Sequence, residues 1–312
     1  MQRLKTGIAM TKLFKHALVA LDLSEASDLI LECVPHLSKF GTEKVTLVSV
    51  VPIPYSGEKA EFNTDKQRKQ LKSYKKQLEE KGFEVRFEIR SGVHFYPPTE
   101  IIEQAEKSSA DYIVIANRGH SKVQELLMGS TATEVLQRSP LPVYLINVEV
   151  EWHDDDTEKR KLVLSRSAGE SLDHILYATD FSENAARAFE VVKYFEANGY
   201  TRNVTLVHVQ GHHYMALSDP ATYDEVTRKN QEQLEKLRNQ FTDSTREHTD
   251  IIVTFGTPAK EIIQASEERG ATMIIIGSQG KGFVEKFFLG GVSNQVTRMS
   301  TIPVFLIPAE RA

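Results

Sequence analysis

A single cysteine, Cys33, stands among 312 residues, which excludes an internal disulfide framework and a cysteine-built metal cage. It falls in a helical apolar pattern with Leu29, Ile30, Val34 and Leu37, so a small buried side chain is expected there. No apolar run approaches the roughly 18 residues that a membrane-spanning helix needs. The first twelve residues carry basic side chains with no apolar stretch behind them, so no secretory leader is predicted, and Met10 offers an alternative start. With 17 glycines and 11 prolines, collagen-like and low-complexity chains are excluded. A net charge of -5 argues against a strongly basic nucleic-acid binder. What remains is a globular composition, 40% hydrophobic and 26% charged, predicting a soluble, cytoplasmic protein with no nucleic-acid or membrane partner.

The chain repeats itself. Residues 16–25 (HALVALDLSE) match 174–183 (HILYATDFSE), and 45–50 (VTLVSV) match 204–209 (VTLVHV). Residues 111–119 (DYIVIANRG) match 272–280 (TMIIIGSQG), and 141–146 (LPVYLI) match 302–307 (IPVFLI). The offsets are 158, 159, 161 and 161. Four matches in one order at nearly one offset indicate a duplicated domain.

Each copy alternates short Val/Ile/Leu runs with amphipathic stretches, the pattern of strands buried on both faces and joined by helices. Strands are predicted at 16–21, 45–51, 84–90, 111–116 and 142–147, then at 174–179, 203–209, 249–255, 272–277 and 303–307. Residues 83–89 alternate, which predicts a sheet edge. Ser24 and Ser182 read as caps opening the first helix of each copy. Residues 66–81 and 224–241 read as charged surface helices, and 99–107 and 258–268 as third helices with Pro98 and Pro258 near their starts. The fold class is α/β: two tandem doubly wound five-stranded parallel sheets, spanning 12–148 and 172–309. Residues 149–171 between them read as a polar linker, with a short strand at 162–164. His153 and the three aspartates 154–156 within it read as a solvated acidic run rather than a metal site, and Trp152 is expected to pack against a domain surface.

The glycines after the fourth strand of the second copy carry the chemistry. Gly277 and Gly280 are followed by nine residues, then Gly290, Gly291 and Ser293. A loop after a buried parallel strand lies at the carboxyl end of the sheet, where doubly wound folds bind ligands. Glycines there allow positive φ and a close backbone approach to phosphate, and Gly290 to Ser293 open a helix whose free N–H groups favour an anion. The first copy has the same frame in Ala116, Gly119, Gly129 and Ser130. Such a frame is also met in ordinary strand-to-loop turns; its strand placement and its repetition favour phosphate binding.

On these residues the chain resembles the universal stress protein family in its tandem form, over about 12–148 and 172–309. The resemblance implies strand order 3-2-1-4-5 in each copy, related by pseudo-two-fold symmetry. It also implies pairing of the last strands, 142–146 and 303–307, so that one chain imitates a dimer; a homodimer of such chains stays open. Family members are nucleotide-binding stress regulators rather than enzymes; many take ATP or AMP, with or without Mg2+, and others have lost the motif. Carried over residue by residue, Thr179 and Asp180 match the base-and-ribose loop and Val209 the position whose backbone faces adenine. Gly277, Gly280 and Gly290 match the phosphate loop. Gly291 stands where the family places a hydroxyl, and Ser293 matches a further phosphate-side hydroxyl. In the first copy Asp22, Val50, Gly119, Gly129 and Ser130 fit, whereas Leu21 and Ala116 depart. A positive φ at 116 would strain an alanine; a negative one would only narrow the pocket. The longer loop 94–98 could cover or obstruct that pocket's mouth. The second copy therefore reads as the better site.

Other candidates weigh less. His208 falls within a strand and reads as a core histidine; His212 and His213 read as solvated loop residues near the mouth. Arg118 and Lys281 lie beside phosphate or point to solvent. There is no Ser-His-Asp ordering, no His-Glu-x2-His and no Gly-x4-Gly-Lys-Ser/Thr motif. Three readings follow: an adenine-nucleotide-binding stress regulator acting on an unidentified protein partner, a non-nucleotide interaction module with degenerate sites, and a slow ATP hydrolase using Asp180 or His212.

Overall fold

The structure, a computed structural model, describes residues 13–53, 63–118, 128–152, 160–164, 170–211, 220–280 and 289–310. The apolar runs become ten strands of one sheet. In the first copy these are β1 (His16–Ala20), β2 (Lys44–Pro52), β3 (Glu84–Gly92), β4 (Tyr112–Ala116) and β5 (Val143–Ile146). A hairpin of β6 (Val148–Trp152) and β7 (Arg160–Leu164) follows. The second copy supplies β8 (His174–Ala178), β9 (Asn203–Gln210), β10 (Thr249–Phe255), β11 (Met273–Gly277) and β12 (Val304–Ile307). The sheet order is β10-β9-β8-β11-β12-β5-β4-β1-β2-β3, the expected 3-2-1-4-5 order twice. β3 lies at the sheet edge, as its alternation predicts, and β10 at the other.

Every pairing within a copy is parallel. The copies join where β5 meets β12 antiparallel, with Tyr144 opposite Phe305. Two like strands meeting head to tail fit a pseudo-two-fold axis through that seam.

Helices cover both faces because the strands are apolar on both. α1 (Glu25–Cys33), α2 (Asp65–Glu79), α5 (Glu183–Ala197) and α6 (Pro220–Arg238) pack on one face. α3 (Pro97–Lys107), α4 (Ser130–Arg138), α7 (Pro258–Glu268) and α8 (Gly291–Met299) pack on the other. Each face has one apolar cluster that runs through both copies. At the seam Phe14, Phe40 and Tyr144 of the first copy meet Phe195 and Phe305 of the second, with Phe14 to Phe305 at 5.1 Å and Phe40 to Phe195 at 5.2 Å between ring centroids. Asn147 donates across it to the carbonyls of Ser300 (2.8 Å) and Ile302 (2.5 Å).

The segment between the copies holds more regular structure than a polar linker with one short strand; the strand expected at 162–164 is part of β7. Residues 148–152 and 160–164 form an antiparallel hairpin with Val148 opposite Leu164. Val148 is buried, Leu162 nearly so, and the Leu162 N–H faces Glu25 of α1 at 3.5 Å. Val148, Glu149, Val150 and Glu151 alternate as a strand with one covered face does; the flanking charge runs mask that signal. His153 and the aspartates 154–156 lie outside the described residues, as do the first twelve residues and Met10. Cys33 is buried as expected. Among the described residues no helix is long and apolar enough to cross a membrane.

Candidate functional site

β8 runs into residues 179–182, which turn the chain into α5. The Ser182 hydroxyl accepts from Ala185 N–H at 3.2 Å, as the cap pattern predicts, and Asp180 Oδ1 accepts from Ser182 N–H at 3.0 Å. Between them Phe181 takes φ +61, a left-handed conformation unusual for an aromatic residue. Leu23 takes φ +60 at the equivalent place in the first copy. Thr179 helps hold this turn: its hydroxyl accepts from Phe181 N–H at 3.0 Å. His208 Nδ1 donates to the Thr179 carbonyl at 2.8 Å, and its ring lies 4.5 Å from that of Phe181. His208 is thus a hydrogen-bonded wall residue, in keeping with the packed role expected of it.

The carboxyl ends of β8, β9 and β11 and the start of α8 enclose a cavity of about 570 Å³. Thr179, Asp180, Val209, Gly277, Gly280, Gly290, Gly291 and Ser293 all line it, so the eight residues singled out in the second copy come together. Of the two reasons expected for their glycines, positive φ and absence of bulk, only the second holds. None of Gly129, Gly277, Gly280, Gly290 and Gly291 has a positive φ; among the described residues the glycines that do are Gly41, Gly82, Gly199, Gly256 and Gly270. What the motif requires is room. A Cβ on Gly280 would lie 2.5 Å from Asp180 Oδ2, one on Gly290 3.2 Å from the Ser278 carbonyl, and one on Gly277 3.1 Å from the Asn184 carbonyl in α5.

Gly290 N–H donates to Ser278 O at 2.7 Å, which sets the direction in which α8 leaves. Gly290 is the N-cap and brings no side-chain cap. The first-turn N–H groups, at Gly291, Val292 and Ser293, therefore open on the cavity wall with their dipole uncompensated. The Ser293 hydroxyl donates to the Gly277 carbonyl at 2.6 Å and is buried. Its proton ties α8 to the end of β11.

Sequence reasoning missed part of the wall. Gln210, Val226, Asn230, Pro258 and Ile262 also line the cavity. Gln210 is 2% exposed. Its Oε1 accepts from the Thr227 hydroxyl at 3.3 Å, while its Nε2 has no partner among the described residues. Val226, Asn230 and the buried Leu234 recur at four-residue spacing on α6, a signal legible in a helix that otherwise reads as a solvated surface.

The first copy differs at matching places. Asp22 Oδ1 accepts from Ser24 N–H (3.0 Å), the Ser24 hydroxyl (2.6 Å) and the Ser27 hydroxyl (3.1 Å). Ala116 is buried and has no positive φ, so its methyl occupies space without strain. Val50 packs on the α3/α4 face, and Gly129 caps α4, with Ser130 as its first residue. In the longer loop, Phe95 folds over Gly92, where a Cβ would lie 2.7 Å from its ring, and beneath the Arg90 guanidinium at 5.4 Å. Arg90 pairs with buried Glu100, and the Tyr96 hydroxyl bonds Glu134 of α4. Arg118 is half-buried. Gly119, Lys281, His212 and His213 lie outside the described residues.

Two doubly wound α/β domains fused through their last strands, with a glycine-lined crevice at the strand ends, define a tandem protein of the Rossmann-like α/β class. The model of the universal stress protein family matches the chain twice, over residues 13–147 and 171–308, and the chain belongs to that family. A universal stress protein of Mycobacterium tuberculosis is 23% identical over 260 residues, covering 82% of this chain and 81% of that protein. One from Methanocaldococcus jannaschii is 29% identical over 152 residues, covering 43% of this chain and 93% of its own. The crystal structure of a universal stress protein from Archaeoglobus fulgidus matches with a TM-score of 0.67 at 26% identity, covering 95% of this chain and 98% of that one.

Proposed function

We propose that this protein binds an adenine nucleotide, ATP or AMP, in its second copy and reports occupancy to a protein partner as a stress-response regulator. One observation carries the reading: the uncapped start of α8 and the glycines at 280 and 290 meet the side chains of Thr179 and Asp180 in one cavity of about 570 Å³. That volume lies in the range of small-molecule sites, roughly 300–1,000 Å³. The first N–H groups of α8 would receive phosphate oxygens, as helix N-termini do. Asp180, with Oδ1 already held by Ser182, would accept from ribose hydroxyls, and the Val209 backbone would edge the base. Among the described residues no group of three His, Cys, Asp or Glu side chains is placed to hold a metal. Mg2+ would therefore enter with the phosphates, whose oxygens and waters suit it.

Two features of the first copy favour a structural role there: Ala116 fills part of the equivalent space, and Asp22 is engaged by three internal donors. Titration calorimetry of the full chain with AMP and with ATP tests both statements. Micromolar binding of one nucleotide per chain is expected, abolished in Gly280→Val and Gly290→Val. Absence of heat and of thermal shift with either nucleotide would sink the nucleotide reading, and two sites per chain would sink the assignment of the first copy.

A further inference from the structure

Gln210 ends β9 as the residue after Val209. Its backbone is spent on the sheet, since its carbonyl accepts from Gly256 N–H at 3.1 Å. Its side chain turns to the α6 face, where the Thr227 hydroxyl, which also donates to the Tyr223 carbonyl at 3.0 Å, approaches Oε1. The other end of the amide, Nε2, is covered by protein and has no hydrogen-bond partner among the described residues. A primary amide that can give two hydrogen bonds is poorly placed in a 2% exposed position unless something arrives to take one. One turn along α6 from Thr227, Asn230 also lines the cavity.

We infer that Gln210 is a specificity-determining residue of this site, donating through Nε2 to a ring nitrogen of the bound purine while Thr227 holds the amide by its oxygen. This rests on the nucleotide reading above and deepens it. The backbone at Val209 would meet one edge of the base, and Gln210, on the next residue of the same strand, would reach an acceptor on another. The copies divide here as well: the residue after Val50 is Val51, so the first copy has no such donor. A site that presents a fixed donor selects heterocycles with an acceptor at that point, because a ligand lacking it leaves the buried N–H unpaired.

The test uses the full chain and calorimetric titration with AMP and with its 1-deaza, 3-deaza and 7-deaza analogues, each of which replaces one ring nitrogen by C–H. On the unaltered protein, one analogue is expected to bind about tenfold more weakly than AMP. In Gln210→Met, AMP is expected to weaken by the same factor, and that analogue to bind as AMP does. The melting temperature of ligand-free Gln210→Met is expected to equal or exceed that of the parent, because an unanswered amide is replaced by an apolar side chain of similar length. Equal affinity for AMP in parent and variant overturns the inference, as does equal binding of all three analogues by the parent. A marked fall in the variant's ligand-free melting temperature also overturns it, marking the amide as part of the fold. Failure of the parent to bind AMP at all is a distinct result: it removes the nucleotide reading together with this one.

Discussion

Gly280 and Asp180 belong to one device. The carboxylate occupies the space that a side chain at 280 would need, with Oδ2 2.5 Å from a Cβ built there. Gly280→Ala is therefore expected to swing the carboxylate aside and weaken AMP about tenfold with little change in melting temperature, as read by titration calorimetry and thermal denaturation. A histidine pair makes a second point at this scale. His16 and His174 open β1 and β8, each with Nε2 2.8 Å from a threonine hydroxyl, Thr46 and Thr205. Burial holds both below the ordinary value of 6.5. The unfolded chain then takes up protons that the folded chain refuses, so stability is full above about pH 6.5 and declines as pH falls through that value towards the folded pKa. Melting temperatures measured between pH 7.5 and 5 are expected to fall, and to fall less in the doubly substituted His16→Gln, His174→Gln protein. An equal fall in both would show that these imidazoles are not linked to folding.

Elements were the most legible level. The ten sheet strands were predicted to within about two residues at each end, because the inner strands are mostly apolar runs and the edge strand β3 alternates regularly. The serine caps were legible too: Ser24 and Ser182 accept from Ala26 and Ala185 N–H, each at 3.2 Å. Ser182→Ala is expected to remove about 1 kcal/mol, lowering the melting temperature by a few degrees, whereas Ser182→Thr keeps a hydroxyl cap and most of the stability. Equal melting of the two variants would show that the cap contributes nothing. The short strand at 162–164 was legible and falls within β7, whereas β6 and its pairing with β7 were not, because the alternation at 148–151 is brief and lies beside charge runs. The inner face of α6 escaped because only one of every four residues faces the site.

Across the whole molecule, the seam packs aromatic side chains of both copies into one apolar cluster. Phe305 is fully buried and its ring lies within about 6 Å of rings on both sides, including Phe14 at 5.1 Å and Phe195 at 6.1 Å. Phe305→Ala is expected to destabilise the protein by about 3–5 kcal/mol. Hydrogen exchange is expected to report lost protection in β4 and β5 as well as in β11 and β12. Loss confined to the second copy would show that the copies fold independently. Asn147 adds polar links across the seam that have no counterpart in the second copy, where Pro308 stands at the matching place.

The sequence by itself determined the duplication, the strand and helix order, the resemblance to one family and the residues that meet at the second crevice. These follow from local periodicity and from like segments at one offset, and both are written along the chain. Only the tertiary structure decided why the glycines are there, since their φ values and the atoms a Cβ would strike depend on Asp180, Ser278 and Asn184 packed against them. It also decided that Asp22 is surrounded by donors and that Gln210 has one end of its amide unanswered. Whether a polar group is satisfied depends on neighbours distant in sequence: Thr227 lies 17 residues from Gln210, in a helix that the strand pattern around Gln210 does not reveal.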